Sequence, residues 1–187
     1  MSTGSLIAII VACAVVLVLV LAALWMFSRR RRLQRDFGPE YDRAVAEQGG
    51  RMAAEKELRG RERRHDDLEL RELPTEVRRR YADEWSGVQQ RFVDHPESAV
   101  AQADTLVTRL MDERGYPTDG YRQQLQDLSV EHGSTLEHYR RAHEVNERNG
   151  DGRVTTEELR GAMVHYRALF DDLLDSGTAG GGARRGE

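Results

Sequence analysis

Cysteine is almost absent, and the one present, Cys13, lies in the most apolar part of the chain. A single thiol cannot close an intramolecular disulfide or build a Cys-ligated metal cluster. Lysine is equally scarce. Of the 28 basic residues only Lys56 is a lysine, a bias that suggests a GC-rich bacterial genome more than any mechanism. Aromatics make up 6% of the chain, and strand-like alternation is hard to find. Proline occurs at positions 39, 74, 96 and 117, each beside a break in helical patterning. There is no glycine-rich phosphate loop, nucleophile elbow or HExxH arrangement. No carboxylate stands isolated on an apolar background, as a raised catalytic pKa would need. These absences point away from an enzyme. The net charge is −4, and acidic residues alternate with the arginines beyond residue 35, so no basic face is left for nucleic acid.

One long apolar run is present. Residues 5–27 carry no charge and end at Ser28-Arg29-Arg30-Arg31-Arg32. As a helix, roughly 23 residues rise about 34 Å, enough to cross a hydrocarbon core of about 30 Å. Met1-Ser2-Thr3-Gly4 carries no charged side chain, so the positive flank follows the run. The expectation is a single-pass anchor at the plasma membrane, with residues 1–4 outside and everything after the run in the cytoplasm. Trp25 lies where an interfacial aromatic belt belongs, and Arg29, Arg30, Arg31 and Arg32 sit at headgroup level, where each attracts anionic lipid by about 1 kcal/mol. A cleaved secretory signal would carry its basic cluster at the other end and a shorter apolar core. Ile10-Val11-Ala12-Cys13 has the look of a lipobox, but many apolar residues follow it, and Cys13 reads as a small residue inside the span.

Beyond the anchor the pattern is helical. Leu73, Val77, Tyr81, Trp85, Val88 and Phe92 fall on one helical face, with Pro74 at its start and Asp94-His95-Pro96 at its end. Val100, Ala103, Leu106, Val107, Leu110 and Met111 form a second stripe, closed by Gly115 as a C-cap. Tyr121, Leu125 and Leu128 mark a short third helix. Leu136, Tyr139, Ala142 and Val145 mark a fourth, capped by Ser134 or Thr135. The last carries Leu159, Ala162, Met163, Tyr166, Leu169, Phe170, Leu173 and Leu174 behind a capping box of Thr155 and Glu158. The expected class is all-α: a transmembrane helix followed by a small bundle of four to six amphipathic helices. Residues 28–72 read as a basic juxtamembrane segment and charged, solvated helical spacer, broken at Gly38-Pro39. Residues 73–176 read as the helical domain, and 177–187 as a disordered tail.

One loop could carry chemistry. Residues 147–158 resemble an EF-hand calcium loop: Glu147 at position 1, Asn149 at 3, Asp151 at 5, Gly152 at 6, the Arg153 carbonyl at 7, Thr155 at 9 and Glu158 at 12. Glu147 departs from the usual Asp, His143 and Asn146 replace large apolar residues before the loop, and there is no second loop to pair with. The same residues also suit a polar helix–helix turn in which Thr155 caps the next helix. No cofactor other than calcium is implied. His138 and His143 are five apart and diverge on a helix; with His165 they read as surface or interface histidines.

Several strings resemble a bacterial, actinobacterial-type family of single-pass membrane-anchored helical proteins. They are Phe37-Gly38-Pro39-Glu40-Tyr41-Asp42, Gln90-Arg91-Phe92-Val93-Asp94, Arg114-Gly115-Tyr116-Pro117, His138-Tyr139-Arg140-Arg141-Ala142-His143 and Ala162-Met163-Val164-His165-Tyr166-Arg167. The resemblance spans roughly residues 30–175 and implies the same layout of anchor plus helical domain, without an activity. The expected function is a membrane-tethered, non-enzymatic interaction or scaffold module. Its partners would be membrane lipids, through the anchor, and a membrane or cytoplasmic protein; the alternative is a calcium-binding regulatory protein.

Overall fold

In the computed structural model the described residues are 3–179, without the side chains of residues 3–14, 29–30 and 177–179. They form eight helices and no strand: α1 (Thr3–Phe37), α2 (Pro39–Glu47), α3 (Arg51–Asp66), α4 (Thr75–Arg91), α5 (Pro96–Arg114), α6 (Tyr121–Glu131), α7 (Leu136–Asn149) and α8 (Thr156–Ala179). The expected tail from 177 is shortened by the reach of α8 to Ala179, and residues 180–187 lie outside the described residues, as do Met1 and Ser2.

Two apolar cores hold the body together. In the larger one the stripes of α4, α5, α7 and α8 interlock, burying Tyr81, Trp85, Val107, Leu110, Leu136, Tyr139, Tyr166 and Phe170. Trp85 of α4 stacks on Phe170 of α8 with ring centroids 4.7 Å apart, a contact worth about 0.5–1.5 kcal/mol beyond the area it buries. Helix α5 ends where expected: Gly115 adopts φ +93° and passes the chain into Tyr116. A Cβ there would lie 2.5 Å from the Glu69 carbonyl oxygen, so backbone crowding requires glycine as much as φ does.

The smaller core joins the end of α1 to α2, α3 and α6 through Leu33, Phe37, Tyr41, Ala44, Ala54 and Leu58, with Val130 packed against them. Here, within residues 28–72, the structure departs from the charged, solvated spacer expected there. Ala54, Leu58, Arg61 and His65 line one face of α3 and are all buried. Their spacing of 4, 3 and 4 is helical, but two of the four members are charged or polar, which hid the stripe. Helix α6 bridges the cores, with Leu128 in the larger and Val130 beside the smaller.

Helix α1 has 35 residues and is about 52 Å long. It ends at Phe37 and the chain restarts at Pro39, the break expected from Gly38-Pro39. Along the apolar run the described large side chains from Val15 to Phe27 are 48–64% exposed, whereas Leu33 and Phe37, further along the same helix, are 3% and 0% exposed. Among the described residues no helix is long and apolar enough to cross a membrane. The expected span, 5–27, falls partly on residues 5–14, whose side chains lie outside the described ones.

The foot of α1 meets the end of α6 at Gly133, where a Cβ would stand 2.8 Å from the Phe37 carbonyl oxygen. Gly133→Ala should therefore force the two backbones apart and cost roughly 1–3 kcal/mol. Gly161→Ala, with nothing within 4 Å on α8, should be neutral or stabilising by roughly 0.5–1 kcal/mol. Denaturant unfolding of the full chain in detergent checks both, and a neutral Gly133→Ala would contradict this docking.

Candidate functional site

The loop between α7 and α8 ties the Asp151, Thr155 and Glu158 oxygens to groups within the protein. Glu147 and Asn149 belong to the last turn of α7. Glu147 projects into solvent, 3.8 Å from His143 Nε2, and Asn149 Nδ2 donates to the Glu97 carbonyl at 2.9 Å. Asp151 pairs with Arg153. Glu158 completes the capping box: the Thr155 N–H and hydroxyl donate to its Oε2 at 2.9 and 2.8 Å, and the Glu158 N–H donates back to Thr155 Oγ1 at 3.3 Å. Its other oxygen accepts from Arg148 Nη1 at 2.9 Å. Among the described residues no group of three or more His, Cys, Asp or Glu side chains is placed to hold a metal ion.

The residues expected at the membrane interface lie along α1. Trp25 is exposed. The Arg31 guanidinium sits over the Phe27 ring, 4.5 Å from its centroid, and Arg32 Nε donates to Asp36 at 3.4 Å. The side chains of Arg29 and Arg30 lie outside the described residues.

Sequence reasoning missed the polar clusters between helices. A cleft of about 550 Å³ opens between α2–α3 and α6–α7. Arg43, Arg61, Arg122 and Arg140 line it together with Glu47, Glu57, Glu144 and Glu147, so its charge is mixed and balanced. One wall is tied across: Arg140 Nη2 donates to Glu40 Oε2 at 2.7 Å and Nη1 pairs with the other oxygen, joining α7 to α2. At its edge His143 stacks on Tyr121, with centroids 4.1 Å apart. Asp104 of α5 fixes that imidazole through Nδ1 at 3.1 Å and accepts from Tyr166 Oη at 2.7 Å. Burial pushes the Tyr121 phenol up to about 12 and those of Tyr139 and Tyr166 higher still. These phenols stay protonated, and Tyr139 donates to Gln124 Oε1 at 3.3 Å as Tyr166 does to Asp104. The arrangement can pair charges of either sign.

A second cluster lies beneath the foot of α1. His132, fully buried, has Nδ1 2.9 Å from Asp172 Oδ2 and Nε2 3.3 Å from Tyr116 Oη, which donates to Glu131 at 3.0 Å. Thr135 directly precedes α7, as expected of a cap, yet its hydroxyl contacts Asp172 Oδ2 at 2.6 Å and the His132 carbonyl instead of capping. Burial alone would raise the Asp172 carboxyl, but the bonds from His132 and Thr135 hold it below the usual range. A third contact joins α7 to α8: His138 Nδ1 lies 2.8 Å from His165 Nδ1. Pairing across helices leaves no spacing signature within a single one. No family model, curated protein or solved structure matches the chain, so neither the EF-hand likeness nor the family likeness has a counterpart there.

The Thr155 N–H and hydroxyl and the Arg148 guanidinium pull the Glu158 carboxyl down to about 2. A depressed carboxylate stabilises the fold fully above its unfolded pKa of about 4.3 and loses that contribution as pH falls toward the folded value. Carbon-13 titration of the Glu158 carboxyl should give a midpoint near the low value in the wild-type chain. Thr155→Ala should shift that midpoint upward and cost about 1 kcal/mol through loss of the cap. An ordinary midpoint in the wild type would mean that the box does not form in solution.

Proposed function

We propose that the chain is a membrane-tethered, non-enzymatic interaction or scaffold module, held by α1 at the plasma membrane with its helical body on the cytoplasmic face. The observation that carries this reading is the division along α1. Its apolar side chains from 15 to 27 find no cover in the body, while Leu33 and Phe37 are buried in it. A shaft of exposed Val, Leu, Trp and Phe is unfavourable in water and favourable in lipid. The four arginines that follow the run, with Arg35 one turn further on, support the cytoplasmic orientation.

Because the foot of α1 is packed into the body, the anchor and body meet at a buried joint and not through a free linker. Tethering of this kind confines a weak binder to a surface and raises its effective concentration toward membrane-associated partners. The mixed-charge cleft between α2–α3 and α6–α7 suits a polar protein segment more than an apolar ligand.

Two measurements test the proposal. Leu19→Arg combined with Leu21→Arg should release the chain from an alkali-washed membrane fraction, since each charge costs about 2.5–3.5 kcal/mol near a span centre. In a Cys13→Ala background, Gly177→Cys should react with an impermeant maleimide only after the cells are opened. Labelling of intact cells would overturn the orientation, and a wild-type chain recovered in the soluble fraction would overturn the anchor. Proximity labelling by the full chain should enrich membrane or cytoplasmic proteins over an anchor-only control, and no enrichment would remove the scaffold reading.

A further inference from the structure

His138 of α7 and His165 of α8 stand 27 positions apart in the chain, yet their Nδ1 atoms are 2.8 Å from one another and their ring centroids 5.0 Å apart. Both side chains are half-buried, and both helices have their backbones set by the larger core, through Leu136, Tyr139 and Ala142 on one side and Ala162, Tyr166 and Leu169 on the other. The packing of the bundle therefore brings the two imidazoles together. We propose that this pair is a two-histidine chelate for a divalent transition metal, with solvent completing the coordination.

The ligand type indicates the class of ion. Imidazole nitrogens bind such metals at about 2.0–2.1 Å. Two of them about 90° apart around one ion are then about 2.9 Å from each other, while a tetrahedral angle would separate them by about 3.3 Å. The 2.8 Å of the metal-free pair is an N–H···N hydrogen-bond length from which either separation is reached by turning the rings, and Ni²⁺ and Cu²⁺ are the ions whose open tetragonal or octahedral sites two imidazoles plus solvent suit. Binding needs both rings neutral and small ring rotations that turn both Nδ1 lone pairs outward to a shared ion. Desolvation, followed by the neighbouring His138 and Arg141, holds the His165 imidazole below its ordinary pKa, which favours the neutral form a ligand needs. The charged groups acting on His165 oppose one another: Arg141 disfavours added positive charge, and Glu137 favours it. Glu137 has its oxygens on Arg43 and Arg141, at 3.0 and 3.2 Å. Without metal, one imidazole donates to the other.

Bound metal would clip α7 to α8 on the side of the bundle where those helices meet, whether or not α1 lies in a membrane. The full chain in detergent, stripped with chelator, should take up one equivalent of Ni²⁺ or Cu²⁺ saturably at pH 7.5 in calorimetric titration. His138→Asn and His165→Asn should each weaken uptake at least tenfold, His95→Asn should leave it unchanged, and lowering the pH to 5.5 should weaken it at least tenfold. Circular dichroism checks that the variants fold. Electron paramagnetic resonance of the wild-type chain with one equivalent of Cu²⁺ needs no variant and should show two nitrogen ligands. Absence of saturable uptake, affinity unchanged in both histidine variants, or coordination by oxygen alone would overturn the proposal and leave an imidazole–imidazole hydrogen bond only.

Discussion

The packing of α5 against α4, α7 and α8 is the constraint to which the rest of the body is fitted. Its face of Ala99, Val100, Ala103, Leu106, Val107, Leu110 and Met111 is wholly buried. Two alanines in that face let neighbouring backbones come close, and the larger side chains fill the space between turns. The same helix positions the polar groups at its margins. Asp104 gathers Tyr166 from α8 and His143 from α7 onto one carboxylate oxygen. Arg114, buried at the other end, donates to the Leu173 carbonyl of α8 at 3.3 Å.

A second, smaller core attaches α1 to this body. Its apolar content is modest, and polar contacts extend it: the Glu40–Arg140 ion pair joins α2 to α7, and Arg61 donates to the Ser129 hydroxyl of α6 at 3.4 Å. A buried ion pair such as Glu40–Arg140 contributes little net stability but is costly to break on one side, so it favours one arrangement over others. The joint between α1 and the body is set by Leu33 and Phe37 within that core and by the bare backbone at Gly133. A membrane tether transmitted through such a joint would fix which face of the bundle, and which wall of the charged cleft, is turned toward the lipid.

Much of this architecture was legible in the order of residues. The stripes beginning at Leu73, Val100, Leu136 and Leu159 all proved to face the larger core, because large apolar residues at helical spacing have few other stable positions. Pro74, Gly115 and the Thr155–Glu158 box stand at the helix ends where local chemistry put them. The stripe of α3 was not legible, since Arg61 and His65 occupy core-facing positions that binary patterning assigns to water. Thr135 showed the limit of local reasoning: it occupies the cap position, but a carboxylate 37 residues away holds its hydroxyl.

The sequence by itself determined the helices, their ends, the apolar run with its arginine flank and the absence of any recognisable catalytic motif. Each follows from interactions that span four residues or fewer, or from composition along a single segment. Only the tertiary structure decided which polar side chains meet: His138 with His165, His132 with Asp172, and Asp104 with both Tyr166 and His143. Those pairings depend on how helices far apart in the chain rotate and settle against one another. Core packing fixes that rotation, and no spacing along one helix records it.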